Sequence, residues 1–149
     1  MRVLITGVTG MAGSHLAEYL LTVPDVQVYG LYRFRSRLDN LSDLIASQRV
    51  NYIAKGGNVR TPEELARRID TETRVDQLNL LLGDLTDPSS TRRVVAGLRP
   101  DRIFHLAAQS FVPSSWEAPA QTLELNVIGQ VNLFEAIREA GIDPLVHVA

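Results

Sequence analysis

The sequence contains no cysteine, only one lysine (Lys55), and no long run of apolar residues. Without cysteine, the chain can form neither a disulfide framework nor a thiolate metal site. Its apolar runs fall well short of the roughly 20 residues that a membrane-spanning helix needs. We therefore expect a cytoplasmic protein with no membrane partner.

An excess of charge of one sign is also missing. The 15 basic and 17 acidic residues give a net charge of −2, so nucleic acid is not a predicted partner. The three histidines are scattered and make no metal site, and His105 is predicted to be a core residue because it lies in an apolar run. With 149 residues and 45% hydrophobic content, the chain is predicted to form one globular domain over residues 1–149.

Short apolar runs alternate with helical patterns from one end of the chain to the other. Both faces of each run are apolar, which is typical of strands buried in a parallel sheet. The alternation predicts an α/β fold, a doubly wound parallel sheet (Rossmann fold) of about five strands with helices on both faces. The predicted strands are Arg2–Thr6, Val26–Leu31, Leu78–Gly83, Arg102–Ala108 and Leu145–Ala149.

The stretch from Phe34 to Gln77 is irregular. It contains one predicted helix at "LDNLSDLIASQ" and a second at "TPEELARRI", where Thr61 and Glu64 can form a capping box. Between them, "NYIAKGGNV" is predicted to be a loop or short turn. A long helix over residues 118–141 is predicted to have an apolar face at Leu125, Ile128, Val131, Leu133, Phe134 and Ile137.

Three glycines, Gly7, Gly10 and Gly13, follow the first strand and open the first helix. In such a turn, the first glycine can adopt a backbone angle closed to other residues. The second lets the chain approach a pyrophosphate, and the third allows close helix–strand packing. The backbone amides of the helix start then bind the phosphates. A tight strand-to-helix turn without a ligand is the alternative, because the spacing departs from G-x-G-x-x-G.

Four motifs, "TGVTGMAGSHLAEYL", "LLGDLTD", "IFHLAAQSFV" and "NVIGQVNLFEA", occur in that order. Together they resemble the N-terminal part of the extended short-chain dehydrogenases/reductases, and within these the nucleotide-sugar epimerases and dehydratases. The GDP-mannose 4,6-dehydratase group is the most similar. The resemblance covers nearly the whole chain except about residues 38–77, which are longer than the family's usual second crossover.

The resemblance implies an NAD(P) site at the carboxyl ends of the strands. Contacts to the cofactor are expected from the glycine turn and from the end of the fourth strand. These residues are Gly7, Thr9, Gly10, Met11, Ala12, Gly13, Leu106, Ala107, Ala108 and Ser110.

The end of the second strand bears on the choice between NAD and NADP. Many relatives have an acidic residue there, whereas this chain has Tyr32 followed by Arg33, with Arg35 nearby. A guanidinium can hold a 2′-phosphate through paired hydrogen bonds, so NADP is predicted rather than NAD. A solvated basic loop is the alternative. The resemblance also places Asp84 on the adenine amino group and Leu85 on its ring, although an acid there can simply cap the next turn.

The loop after the fourth strand faces the sugar and the nicotinamide in the family. The substrate contacts expected there are Gln109, Val112 and Ser115. Trp116 and Pro119 are predicted to anchor this loop on the core. Asn126 matches a family asparagine and is predicted to bond neighbouring backbone.

The family's catalytic Tyr-x-x-x-Lys is absent, because Asn51 stands four residues before the only lysine. No catalytic residue is therefore predicted. We expect the cofactor-binding part of a longer, homo-oligomeric, NADP-dependent nucleotide-sugar 4,6-dehydratase that acts on GDP-mannose. The alternatives are a nucleotide-sugar 4-epimerase, a dehydratase for another sugar, a non-catalytic NADP-binding regulatory module, and a protein that keeps the fold for subunit contacts.

Overall fold

A computed structural model describes residues 1–149 and contains one six-stranded parallel sheet in the order β3-β4-β2-β1-β5-β6. Strands β2, β3 and β4 lie on one side of β1, and the chain then crosses back to form β5 and β6 on the other side. The predicted doubly wound parallel fold is confirmed. The strands are β1 (Arg2–Thr6), β2 (Gln27–Tyr32), β3 (Val50–Tyr52), β4 (Leu78–Leu82), β5 (Arg102–His105) and β6 (Leu145–Val148).

Helices cover both faces of this sheet. The helices are α1 (Met11–Leu20), α2 (Ser42–Ala46), α3 (Pro62–Glu72), α4 (Pro88–Leu98), α5 (Val112–Glu117), α6 (Pro119–Leu123) and α7 (Gly129–Glu139). One apolar core lies under α1 and α2, and the other under α3, α4 and α7. None of these helices combines the length and the apolar character that crossing a membrane requires.

The starts of α3 and α4 follow from local sequence. Thr61 accepts a hydrogen bond from the Glu64 amide, and the Glu64 carboxylate accepts from the Arg60 and Thr61 amides, which lowers the pKa of Glu64. Asp87 caps α4 by accepting from the Ser89 amide. The predicted capping box is confirmed.

The prediction of a loop at "NYIAKGGNV" is wrong at its start, because Val50–Tyr52 pairs in parallel with β4 as an edge strand. Asn51 Nδ2 donates to Asn79 Oδ1 at 2.8 Å and to the Glu72 carbonyl at 2.8 Å. Asn79 is itself fully buried in β4. The side-chain contacts of Asn51 with Asn79 and Glu72, which are distant in sequence, therefore help to hold β3 in place as the sixth strand.

One predicted helix is shorter in the structure, and another contains an irregular turn. The segment "LDNLSDLIASQ" forms a 3-10 turn (Asp39–Leu41) and the short α2 instead of one helix. The predicted long helix is present as an unbroken helical run from Pro119 to Glu139, in which a π turn (Glu124–Ile128) joins α6 to α7. Its apolar face is only partly buried: Leu133 is enclosed, whereas Val131 and Phe134 are 49% and 40% exposed.

A buried polar pair joins β1 to β5 below the carboxyl edge of the sheet. Thr6 Oγ1 and His105 Nδ1 are 2.7 Å apart, and the Ala107 amide donates to Thr6 Oγ1 at 3.4 Å. The predicted core position of His105 is confirmed, since only 3% of it is exposed. Its burial lowers the pKa of the imidazole.

We expect the His105 pair to make folding stability depend on pH. Because burial lowers the folded-state pKa of His105, the contribution of its neutral ring to the free energy of unfolding is fully present above about pH 6.5. That contribution is lost as the pH falls through the folded-state pKa. Urea unfolding at about pH 7.5 and pH 5.5 should show a smaller loss for His105→Gln than for the unmodified chain. An equal loss in both proteins would contradict this role of His105.

Candidate nucleotide-binding site

The turn between β1 and α1 brings two backbone segments close together. Gly7 has φ = +76°, and a Cβ on it would lie 2.7 Å from the Ala107 nitrogen and from the Leu106 carbonyl carbon. A Cβ on Gly13 would overlap the Gly7 carbonyl and lie 2.8 Å from Val8 Cα. The fold itself thus requires glycine at the first and third positions of the motif.

Gly10 is in a different situation. Its backbone is extended (φ −81°, ψ 167°), and a Cβ on it would meet only the Gly7 carbonyl oxygen, at 3.3 Å. The amides of Met11, Ala12 and Gly13 have no acceptor within the chain, and the first turn of α1 contains no acidic residue. The turn therefore presents free N–H groups and the positive end of a helix dipole, with open space in front of Gly10.

A cavity of about 190 Å³ extends from this turn to the ends of β2 and β4. It lies beside the point between β1 and β5 where the strand order reverses, which is where open α/β sheets bind their ligands. The predicted cofactor residues that line it are Gly7, Thr9, Gly10, Arg33, Asp84, Leu85, Leu106, Ala107 and Ala108.

Other predicted residues lie outside this cavity. Met11, Ala12 and Gly13 form the first turn of α1, with Gly13 buried. Arg35 and Ser110 are exposed and do not line it. The cavity wall also includes residues that the sequence analysis missed: Leu31, Ser36, Gly83 and Leu125. Leu31 and Gly83 are the last residues of two predicted strands, so the sequence could have placed them at the site.

Arg33 is fixed by a compact turn after β2. Its amide donates to Ser36 Oγ at 3.0 Å, and the Ser36 amide donates to the Arg33 carbonyl at 2.9 Å. Because Ser36 Oγ accepts there, its own proton is available to a ligand in the cavity. The Arg33 guanidinium has no carboxylate partner, whereas Arg37 on the same loop pairs with Asp39 at 2.6 Å.

Asp84 uses only one of its carboxylate oxygens within the chain. Oδ1 accepts from the amide and from the hydroxyl of Thr86, at 3.0 and 2.9 Å, while Oδ2 has no partner. Ser90 Oγ accepts from the Asp84 amide at 3.0 Å and holds the backbone. Leu85 is 4% exposed, so it belongs mainly to the core and contributes a small apolar surface to the cavity.

Gln109 and Asn126 form a reciprocal pair at the end of β5. The Gln109 amide donates to Asn126 Oδ1 at 2.7 Å, and Asn126 Nδ2 donates to the Gln109 carbonyl at 3.1 Å. The predicted architectural role of Asn126 is therefore confirmed. Asn126 lies in the π turn, which places its side chain against the Gln109 backbone.

A second cavity, of about 620 Å³, adjoins the first through Arg33 and Leu125. Gln109 lines it, together with residues of α5 and α6, but Val112 and Ser115 do not. The Ser115 hydroxyl donates to the Val112 carbonyl at 2.6 Å instead. Trp116 is 82% exposed and Pro119 is exposed as well, so the prediction that they anchor the loop on the core is wrong.

The chain is similar in sequence to known proteins. The chain is 37% identical over 139 residues to the GDP-mannose 4,6-dehydratase of Vibrio cholerae, which covers 93% of this chain and 31% of that protein. GDP-mannose 4,6 dehydratase 1 of Arabidopsis thaliana is 35% identical over 140 residues, covering 94% and 33%. The chain thus spans about a third of the length of these curated relatives.

Solved structures share the fold. The NAD complex of UDP-glucose 4-epimerase from Thermus thermophilus matches with a TM-score of 0.65 at 29% identity, covering 97% of this chain and 36% of that one. An epimerase from Stenotrophomonas maltophila has a TM-score of 0.68 at 21% identity, covering 99% and 36%, which shows the fold alone.

The sequence profile of the "NAD dependent epimerase/dehydratase family" matches residues 3–149. The resemblance inferred from the four motifs is confirmed. This chain belongs to the NAD dependent epimerase/dehydratase family.

Proposed function

We propose that the chain binds NADP and forms the cofactor-binding part of a nucleotide-sugar 4,6-dehydratase that acts on GDP-mannose. The observation that carries this proposal is the glycine turn, whose free amides adjoin a cavity that ends at Arg33 and Asp84. The similarity to proteins named GDP-mannose 4,6-dehydratase supports the substrate class.

The diphosphate of the dinucleotide is held by the start of α1. The unpaired amides of Met11, Ala12 and Gly13 donate to the phosphate oxygens, and the helix dipole favours their negative charge. The open space at Gly10 allows the close approach that these hydrogen bonds need. When bound, the nicotinamide supplies reversible hydride transfer, and this chain binds and orients it.

The 2′-phosphate that distinguishes NADP is held at the end of β2. The Arg33 guanidinium, free of any carboxylate, can donate two parallel hydrogen bonds to it, and Ser36 can add a third donor. Tyr32 stands where an acid would repel that phosphate. These features favour NADP over NAD.

The adenine ring fits between the ends of β2 and β4. Its exocyclic amino group can donate to the free Oδ2 of Asp84, while Leu31, Leu85 and Leu125 provide apolar contact with its faces. On the sugar side, Gln109 is held by Asn126 and lines the larger cavity, which supports its assignment to the substrate. The positions of Val112 and Ser115 add no support for theirs.

A 4-epimerase is the second candidate, favoured by the fold match with the UDP-glucose 4-epimerase solved with NAD. Nucleotide affinity bears on this choice. Tighter binding of NADH than of NADPH would favour the epimerase, because the matching epimerase structure contains NAD. Arg33 and Ser36 would then have no 2′-phosphate to bind.

Two glycine substitutions should separate binding from folding. Gly10→Val should keep the fold, since an extended backbone accepts valine, but raise the Kd for NADPH and NADH at least about tenfold. Gly13→Ala should lower the free energy of unfolding by about 1–3 kcal/mol, because its methyl group meets the Gly7 carbonyl. Nicotinamide fluorescence and urea unfolding are the measurements. Full nucleotide affinity in folded Gly10→Val would refute the proposed phosphate site.

Arg33→Ala should weaken NADPH binding about 10- to 100-fold and leave NADH binding unchanged, because a charged hydrogen bond contributes about 1.5–3 kcal/mol. Arg37→Ala is the matched control, since that guanidinium lies on the same loop but is paired with Asp39. Equal affinities for NADPH and NADH in the unmodified chain would exclude the NADP preference.

A further inference from the structure

The added edge strand β3 ends at the same edge of the sheet as the proposed 2′-phosphate site, with β4 between β3 and β2. It runs parallel to β4, so the residues after Tyr52 emerge at the carboxyl edge of the sheet, as Arg33 and Asp84 do. The segment that contains β3 carries none of the four sequence motifs. It supplies the only lysine of the chain, Lys55.

Two ring contacts connect Lys55 with the end of β2. The Lys55 ammonium lies 4.8 Å from the centroid of the Tyr52 ring. Tyr52 packs edge-to-face against Tyr32 at 5.8 Å between centroids, and Tyr32 immediately precedes Arg33. These contacts place the Lys55 ammonium beside the aromatic pair that precedes Arg33, although the Tyr32 ring packs against the core under α1 and α2 and does not itself line the cavity.

The loop that bears Lys55 is tied to the body of the protein. The Ala54 amide donates to Glu72 Oε2 at 2.7 Å, and the Gly57 amide donates to the Ala54 carbonyl at 3.0 Å. Gly56 has φ = +71°, which completes a tight turn just after Lys55. The lysine therefore starts from a fixed backbone.

Three cations at this edge, Lys55, Arg33 and Arg35, form no ion pair, and Glu72 is engaged with Arg68 and the Ala54 amide. The unpaired anion at this edge is Asp84, at the end of the intervening β4, and its charge opposes theirs. Attraction between exposed charges extends over about 10 Å at 0.1 M ionic strength and further at lower salt. The ends of β3 and β2 are two strand spacings apart, about 10 Å, so at low salt the field of a cation at the end of β3 reaches a phosphate dianion at the end of β2.

We infer that Lys55 is a specificity-determining residue, whose charge attracts the 2′-phosphate of NADP and adds to the contact from Arg33. This inference rests on the proposed function. Lys55 acts through the long-range field, so its effect falls on NADPH, has no counterpart for NADH, and disappears at high salt.

Lys55→Met and Lys55→Glu test this inference, with NADPH and NADH titrated into the full chain at about 20 mM and 500 mM NaCl. At low salt, Lys55→Met should raise the Kd for NADPH about two- to threefold, and Lys55→Glu by about the square of that factor. At high salt both changes should vanish. Arg74→Met is the matched control, because it removes an exposed cation at the amino end of β4.

The outcomes separate the two proposals. If the unmodified chain does not prefer NADPH, the NADP assignment fails and the inference about Lys55 fails with it. If the chain prefers NADPH but Lys55→Met behaves like Arg74→Met, only the inference about Lys55 is overturned. Equal weakening of NADH and NADPH would also overturn it, since the charge would then act on the diphosphate. Lys55→Arg should retain the affinity of the unmodified chain, and a loss equal to that of Lys55→Met would contradict the electrostatic account.

Discussion

The close approach of the β1–α1 turn to the end of β5 determines the rest of this site. Gly7 faces the Leu106–Ala107 peptide at a distance that excludes any Cβ, and Gly13 closes the helix onto the same turn. This packing directs the start of α1 toward the gap between β1 and β5, where the strand order reverses. The Thr6 and His105 pair fixes the two strand ends from below. The free amides of the proposed phosphate site thus result from backbone packing alone.

A site built from backbone amides cannot by itself distinguish one dinucleotide from another, because every such cofactor has the same diphosphate. Selectivity must come from side chains at the ends of neighbouring strands. Arg33, Ser36 and Asp84 have free hydrogen-bonding capacity directed at one cavity, whereas nearby groups such as Arg37 are already paired. Whether a polar group is already paired within the chain therefore says more about its availability to a ligand than its residue type does.

Features that depend on local spacing were predictable from the sequence. The glycine turn, the capping box of α3 and the core strands follow from short-range rules. Strand β3 has only three half-buried residues, and the Asn79 contacts that hold it depend on the fold, so no local pattern revealed it. Ser36 was missed for the same reason, since its place in the cavity depends on how the chain turns after β2. Trp116 was assigned to the core on its apolar character alone, but α5 lies outside both cores.

The integration of β3 explains how an extra segment can influence a site it does not line. Asn51 and Asn79 attach the strand to the sheet, and the Tyr29 hydroxyl lies 2.9 Å from Thr73 Oγ1 just after α3. The Asn51–Asn79 contact and the parallel pairing fix β3 relative to β4, and the Tyr29–Thr73 contact attaches the end of α3 to β2. The loop that follows β3 therefore has a defined position at the carboxyl edge. An insertion attached only through flexible ends would average its charge over many positions. Because β3 is hydrogen-bonded into the sheet, the charge of Lys55 remains on the side of the site where a 2′-phosphate would bind.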